Sequence, residues 1–310
     1  MMDNVGDNLR QIMDRNELNK RYQTLMNEVM NDPDVRRFLA ENRSVLDDEA
    51  IQRSSSELYE YVQEKKKFQQ KKGMLAPGYR PQLILNHKRV GVTYVPTPEL
   101  LERQRENEIK SRIRSMDMPK DIRDVTLADI EITVERQEVL GKVFAFIEEY
   151  LEAPKKFHKG LYLEGPFGVG KTYLLGAIAH ELAENGFVTT LMHFPSFAVE
   201  MKQSISQNTT GEKIDAVKRA PILMLDDIGA DSMSSWIRDD VLGVILQYRM
   251  QEQLPTFFSS NFNMKQLEEE HLTVSQRGED EPLKAKRIME RIRFLAEEVS
   301  MKGENRRHTE

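Results

Sequence analysis

The chain has 310 residues, 45 Lys and Arg against 51 Asp and Glu for a net charge of −6, and 39% hydrophobic residues, enough for about two globular domains. This balance excludes a disordered tail, a fibre and a histone-like protein that binds nucleic acid by bulk charge, although a local basic face can still do so. Zero cysteines exclude a disulfide framework, a thiol nucleophile, an iron-sulfur cluster and cysteine-ligated zinc, and suit a reducing cytoplasm.

The opening MMDNVGDNLRQIMDR is acidic and polar where a secretory signal needs a basic end and an apolar run. The longest uncharged stretch, Asn185 to Val199, is broken by Thr, His, Pro and Ser and falls short of the roughly 18 apolar residues of a spanning helix. A soluble cytoplasmic protein with no membrane partner is expected. Residues 1 to about 63 read as helices. Leu18, Tyr22, Leu25, Met26 and Val29 recur at helical spacing and predict one buried stripe. Asn31 or Asp32 before Pro33 starts a second helix, and Ser54 to Ser56 cap a third with Leu58, Tyr61 and Val62 on its apolar side.

Residues 61–90 then hold eight Lys or Arg against the single acid Glu64, a local excess that reads as a solvated face or as a contact for nucleic acid or an acidic partner. Past Gly73 and Pro77-Gly78, QLILNHKRVGVTYV predicts a hairpin turning at Asn86 to Arg89. Residues 99–124 are dense in charge with few apolar anchors, which suits an exposed helix or tether. The expected organisation is an N-terminal domain over 1–110, a linker to about 124, and a second domain over 125–310. In the second, apolar strands alternate with amphipathic helices, the pattern of a parallel sheet covered on both faces.

Gly165, Pro166, Phe167, Gly168, Val169, Gly170, Lys171 and Thr172 match G-x-x-x-x-G-K-[ST] in full. The strand GLYLE precedes them, and a helix follows with Leu174, Leu175, Ile178, Ala179 and Leu182 on its apolar side and Gly186 as its stop. In such a loop backbone N–H groups turn toward phosphate, Lys171 reaches the β- and γ-phosphates of ATP, and Thr172 holds Mg²⁺. A second anchor for the metal is expected on a neighbouring strand, and ILMLDD ends in two carboxylates. Asp226 is placed to reach the metal, and Asp227 to polarise the attacking water. The strand PTFFSS ends at Asn261, either a contact for the γ-phosphate or water, or a turn-forming amide. In KAKRIMERIR, Ile288 and Ile292 share one side and Arg287 and Arg291 another, which suits either a charge donated to phosphate or a surface salt-bridge helix with Glu290.

GPFGVGKT, PILMLDDIGAD, SSWIRDD, LPTFFSSNFN, AKRIMERIR and GENRRH, in that order over about residues 125–308, resemble the bacterial replicative helicase loaders of the AAA+ class. NDPDVRRFL and GYRPQLILN extend the resemblance across nearly the whole chain. It implies an α/β AAA+ P-loop NTPase with a parallel five-stranded sheet, behind a small, mainly helical N-terminal domain with a short β-hairpin. It further implies ATP with Mg²⁺ at subunit edges, an N-terminal domain that grips the replicative hexameric helicase, and loading of that helicase onto single-stranded DNA during primosome assembly. Carried onto this sequence, Lys171 and Thr172 are the P-loop pair, Asp226 and Asp227 the Walker B pair, Asn261 sensor 1, Arg291 the arginine finger, and Arg306 or Arg307 sensor 2. A finger acting across a subunit boundary implies self-association through the ATP sites and weak, partner-stimulated hydrolysis by the isolated chain.

Several relatives carry a cysteine-built zinc site in the N-terminal domain, and the corresponding stretch here, about Phe68 to Gly78, has no cysteine. A lone His87 cannot supply the ligands, so no zinc is expected and packing with the hairpin must hold this region. Single-stranded DNA is expected on basic parts of the AAA+ surface, through phosphate contacts that weaken with salt. Two other functions fit the P-loop: an adaptor switched by nucleotide with incidental turnover, and a phosphotransferase, for which the N-terminal module and the arginine helix have no obvious use.

Overall fold

The computed structural model describes residues 20–230, 233–273, 275–276 and 279–306. Contacts divide the chain into two compact units, one ending at Arg105 and one starting at Glu106. The first unit holds helix α1 (residues 20–31), α2 (Pro33–Glu41), α3 (Asp48–Arg53), α4 (Ser55–Gln70) and strands β1 (Tyr79–Asn86) and β2 (Arg89–Pro96). Helix α5 (Pro98–Arg112) crosses the division.

Asp32 separates α1 from α2 and caps the latter, its Oδ1 accepting from the amides of Asp34 at 2.9 Å and Val35 at 3.3 Å, with Pro33 in the first turn. Val29, Val35, Leu39, Leu58 and Val62 form the core with Leu83 and Val90 of the hairpin. The stripe expected on α1 is narrower than its spacing suggests, because Tyr22 is 56% exposed and Leu25 is also exposed, so burial begins near Met26 and Val29. Leu18 lies outside the described residues. Ser54 occupies the position before α4 but does not cap it. Its buried hydroxyl donates to Ala50 O at 2.9 Å and accepts from the Val90 amide at 3.0 Å, tying α3 to the hairpin. The hairpin pairs Asn86 with Arg89 and turns through His87 at φ 56°, a left-handed conformation.

The loop between α4 and β1 is fastened by a residue that sequence patterning did not single out. Glu64, buried on α4, accepts from Lys67 Nζ at 2.7 Å and from the Leu75 amide at 3.2 Å, so one carboxylate holds both the helix end and the loop.

The second unit contains β3 (Ile113–Met116), α6 (Gln137–Glu152), β4 (Gly160–Glu164), α7 (Lys171–Glu184), β5 (Thr189–His193), α8 (Phe194–Gln207), α9 (Thr210–Lys218) and β6 (Ile222–Asp226). A π-helical turn (Ile237–Leu242) leads into α10 (Gly243–Gln251), followed by β7 (Thr256–Ser260), the short α11 (Met264–Gln266), β8 (Ser275–Gln276), β9 (Glu279–Asp280), α12 (Pro282–Leu295) and β10 (Ala296–Ser300).

Its main sheet is wholly parallel, in the order β10-β4-β7-β6-β5-β3. It has six strands where five were expected. The additional one is β3 at the edge, four residues within the stretch whose charge suggested a tether. Only Ile113 of β3 is fully buried, and Ile109 and Ile122 on either side join the same core, too sparse a pattern for period-two reading.

Alternation along the buried strands feeds two cores, one per face. Leu161, Leu163, Ile222, Met224 and Phe257 pack with α6 and α7, while Tyr162, Leu223, Leu225 and Phe258 pack with α8, α10 and α12. The apolar residues expected on α7, Leu174, Leu175, Ile178, Ala179 and Leu182, are all fully buried. No helix among the described residues is long and apolar enough to cross a membrane.

Candidate functional site

In a parallel sheet the carboxyl ends of the strands share one rim, and there the neighbours β4, β7, β6 and β5 deliver their following residues. β4 runs into the loop Gly165 to Gly170, where Gly168 at φ 77° and Gly170 at φ 98° adopt left-handed backbone that a side chain would strain. The Gly165 amide donates to Ser260 O at 3.2 Å, which docks the loop onto the end of β7. Lys171, the first residue of α7, is buried, and its Nζ donates to Gly165 O at 2.7 Å, Pro166 O at 2.9 Å and Asn261 Oδ1 at 2.8 Å.

Thr172 donates its hydroxyl to Asp226, 3.0 Å from both carboxylate oxygens, and Ser259 donates to Asp226 Oδ1 at 2.5 Å. Asp226 ends β6 only 4% exposed. Burial pushes its carboxyl above the usual range, and the Ser259 and Thr172 hydroxyls work against that shift. A buried carboxylate beside a hydroxyl is a hard-oxygen pair suited to Mg²⁺, and such a cation would compensate the charge that burial disfavours.

Asp227 follows at φ 61°, left-handed for a residue with a side chain, and its carboxylate meets partners different from those of Asp226. Its amide donates to Ser259 Oγ at 2.9 Å, its Oδ1 accepts from Asn261 Nδ2 at 2.9 Å, and its Oδ2 lies 4.0 Å from His193 Nε2. Asn261 therefore joins Lys171 to Asp227.

These groups open onto a cavity of about 840 Å³. Its lining combines the polar Lys171, Thr172, Asp226, Asp227 and Asn261 with the apolar Met118, Pro119, Val125 and Ile130 from the segment between β3 and α6. A lining that offers both a cation with carboxylates and apolar side chains suits a ligand with a flat apolar ring and a polyanionic tail.

Of the other sequence-predicted residues, Val169 is buried in the core and Phe167 is 59% exposed on the loop, still at the edge of the cavity. Arg306 reaches the cavity, its amide donating to Gly168 O at 3.0 Å and its guanidinium pairing with Glu131. Arg307 lies outside the described residues. Arg291 does not line this cavity. It sits on α12, donates to Gly243 O at 2.9 Å, and borders a different hollow with Lys284, Arg287, Asp239 and Asp240.

Ser259, His193 and Arg136 are among the lining residues that escaped sequence reading. Ser259 stands inside a recognised strand whose polar positions were not weighed. His193, its Nδ1 held by Ser196 Oγ at 2.8 Å, ends the strand next to Asp226, a signal available once the strand order is known. Arg136 lies in EITVERQEVL, where a charged residue reads as solvated, and nothing local marks it as buried.

Compared with known families, residues 2–94 match the family described as the primosomal protein DnaI N-terminus, and residues 99–310 match the IstB-like ATP binding protein family. The chain is similar to the replicative helicase loader DnaI of Bacillus subtilis (strain 168), 41% identical over 313 residues, 99% of this chain and 100% of that protein. It is similar to a crystal structure of DnaI at 47% identity and a TM-score of 0.55, covering 64% of this chain and 99% of the other. A structure from Streptococcus pyogenes serotype M3 matches at 46% identity and a TM-score of 0.54, covering 64% of this chain and 97% of the other.

Proposed function

The chain belongs to the DnaI family of replicative helicase loaders, and from that premise we propose that it uses ATP bound at the rim of β4, β7 and β6 to load a replicative DNA helicase onto single-stranded DNA. The observation that carries the reading is the convergence of the P-loop, the Thr172–Asp226 pair and the Lys171–Asn261–Asp227 chain on one cavity.

Within it, the amides of Gly165 to Gly170 and the Lys171 ammonium hold the phosphates, and Arg306 or Arg307 adds a cation from the C-terminal tail. Thr172 and Asp226 hold Mg²⁺, which when bound neutralises charge on the β- and γ-phosphates. Asp227 polarises the attacking water, and Asn261 sets the position of both Asp227 and Lys171. Arg291, which borders a different hollow and does not line this cavity, completes the site of an adjacent chain. One chain then holds ATP without the cation that stabilises the transition state, so hydrolysis is weak alone and rises on assembly.

The N-terminal unit grips the helicase, and basic parts of the ATPase unit hold single-stranded DNA through phosphates. Size-exclusion chromatography with light scattering tests this on the chain mixed with the replicative helicase of the same source, with and without ATP, beside a variant lacking residues 1–105. A discrete complex that the truncation abolishes is expected. No complex in any nucleotide state would leave the P-loop reading standing and remove the helicase as partner.

A further inference from the structure

Among the described residues, three arginines are buried to an exposure of 2% or less: Arg136, Arg238 and Arg249. A guanidinium keeps its charge when buried, so its five N–H donors need acceptors or a counter-charge. Arg238 has both. Its Nε and Nη2 donate to Asp239 at 2.6 and 2.9 Å, Nη2 also to Glu281 at 2.6 Å, and Nη1 to Leu272 O at 3.1 Å. Arg249 has no carboxylate but four acceptors, Thr256 Oγ1 at 2.8 Å, Lys218 O at 3.1 Å, Ala220 O at 2.6 Å and Pro255 O at 2.7 Å.

Arg136 differs from both. Its Nη2 donates to Val169 O at 2.7 Å, and among the described residues it makes no other hydrogen bond and no ion pair. It lines the same cavity as Lys171, at the end of the single turn Val134–Arg136 that leads into α6. Glu131 attracts it at longer range, but that carboxylate is already paired with Arg306, and Arg306 repels it. Two guanidinium groups thus stand beside the phosphate loop with one carboxylate between them, and the more deeply buried of the two has unused donors.

We infer that Arg136 is a nucleotide-binding residue, donating to the phosphate chain as a second buried cation beside Lys171. The inference rests on the nucleotide reading of the cavity. Arg136 lines the cavity with donors beyond the one given to Val169 O, and a polyanion entering the cavity supplies them with acceptors. A plain brace of the loop would instead be read as lost stability without ligand and equal weakening of every ligand.

The test uses the full chain, as wild type, Arg136→Met and Arg136→Lys, with thermal melts and binding titrations against Mg-ATP, Mg-ADP and adenosine. For Arg136→Met the expected result is a ligand-free melting temperature no lower than wild type, Mg-ATP affinity reduced about tenfold or more, and adenosine affinity little changed. Arg136→Lys recovers part of the loss. A lower ligand-free melting temperature with equal losses for ATP and adenosine would make Arg136 a brace and overturn the inference. If wild type binds Mg-ATP and Arg136→Met binds it equally well, only the Arg136 assignment falls. If wild type itself binds no nucleotide, the reading of the cavity falls and takes this inference with it.

Discussion

The Lys171 ammonium lies 2.8 Å from the side-chain carbonyl of Asn261, and the same amide donates through Nδ2 to Asp227 at 2.9 Å. One side chain thereby fixes both the group assigned to phosphate and the group assigned to water. Replacing it should leave the phosphate loop intact and loosen the alignment of cation and carboxylate. Asn261→Ala is expected to keep nucleotide affinity within about threefold while stimulated turnover falls roughly 100-fold, the scale of losing one positioned polar group. Parallel measurement of equilibrium binding and turnover checks this. A loss confined to affinity would make Asn261 a binding residue instead.

Asp227→Asn is a clean probe because Asn tolerates the left-handed backbone at φ 61° and keeps the volume of the side chain. Hydrolysis should drop by about 100-fold or more, the usual worth of a general base, with the melting temperature and ATP affinity retained. Helicase loading by this variant decides between two uses of the nucleotide. Full loading without turnover would favour the switched adaptor over a loader that needs hydrolysis.

The parts of the fold legible in sequence were those with strong local physics. The P-loop sits between a strand whose first four residues are buried and a helix whose Leu174, Leu175, Ile178, Ala179 and Leu182 are all buried, so period and motif agree there. ILMLDD likewise announces β6, whose five residues are all buried. Strand β3 was not legible, since its burial depends on pairing with β5, from Thr189 back to Ile113, and not on any pattern of its own. Ser54 shows the same limit. A serine before a helix predicts a cap, yet tertiary packing gives its hydroxyl Ala50 O and the Val90 amide. Arg136 was missed because burial of a charge is set by what packs around it, and His193 because strand order, not sequence order, puts it next to Asp226.

In the first unit the loop between α4 and β1 is fastened by one buried carboxylate, that of Glu64. Its carboxylate accepts the Leu75 amide at 3.2 Å and the Lys67 ammonium at 2.7 Å, and Lys67 first and the Leu75 amide after it hold its pKa below the usual range, against burial. Glu64→Ala should raise amide exchange over residues 71–78 and cost about 1–2 kcal/mol by leaving a donor unpaired. Hydrogen exchange on the full chain reads this directly. Chelator should leave the pattern of the wild type unchanged, and a chelator-sensitive loop would contradict the assignment of this role to Glu64.

The same unit should show a defined acid limit. Lys65 Nζ lies 2.9 Å from Asp32 and 2.7 Å from Asp34. The hydrogen bond from Lys65 holds the Asp34 carboxyl below its ordinary 3.8, partly offset by burial. A depressed carboxylate stabilises fully above its unfolded value and loses that contribution as pH falls through the folded one. Burial lowers the Lys65 ammonium, but its bonds to Asp32 and Asp34 leave it above 10.5, so its contribution is full below that value and fades only as pH rises past it. Stability of this unit from these groups should be flat between those limits and fall only below pH 3.8. Lys65→Met should move the Asp34 midpoint up toward 3.8, read from its carboxyl chemical shift, and an unmoved midpoint would show that Lys65 does not set it.

Arg291 offers the sharpest separation of binding from assembly. Its guanidinium donates to Gly243 O at 2.9 Å and borders a hollow distinct from the nucleotide cavity, while burial, and after it the neighbouring Arg287, hold its pKa below the usual guanidinium range. A cation placed this way contributes nothing to the site of its own chain, so Arg291→Ala should bind ATP as wild type does. Turnover stimulated by the helicase should fall by roughly 100-fold or more, below the upper range seen when a finger is supplied by a second protein. Mixing then distinguishes a finger from a folding defect. Arg291→Ala lacks the finger but keeps Asp227, and Asp227→Asn keeps the finger but lacks the base. Combined, they should form some sites with both groups and recover part of the activity that neither has alone. Failure of the mixture to exceed the sum of its parts would mean that Arg291 does not act across a boundary between chains.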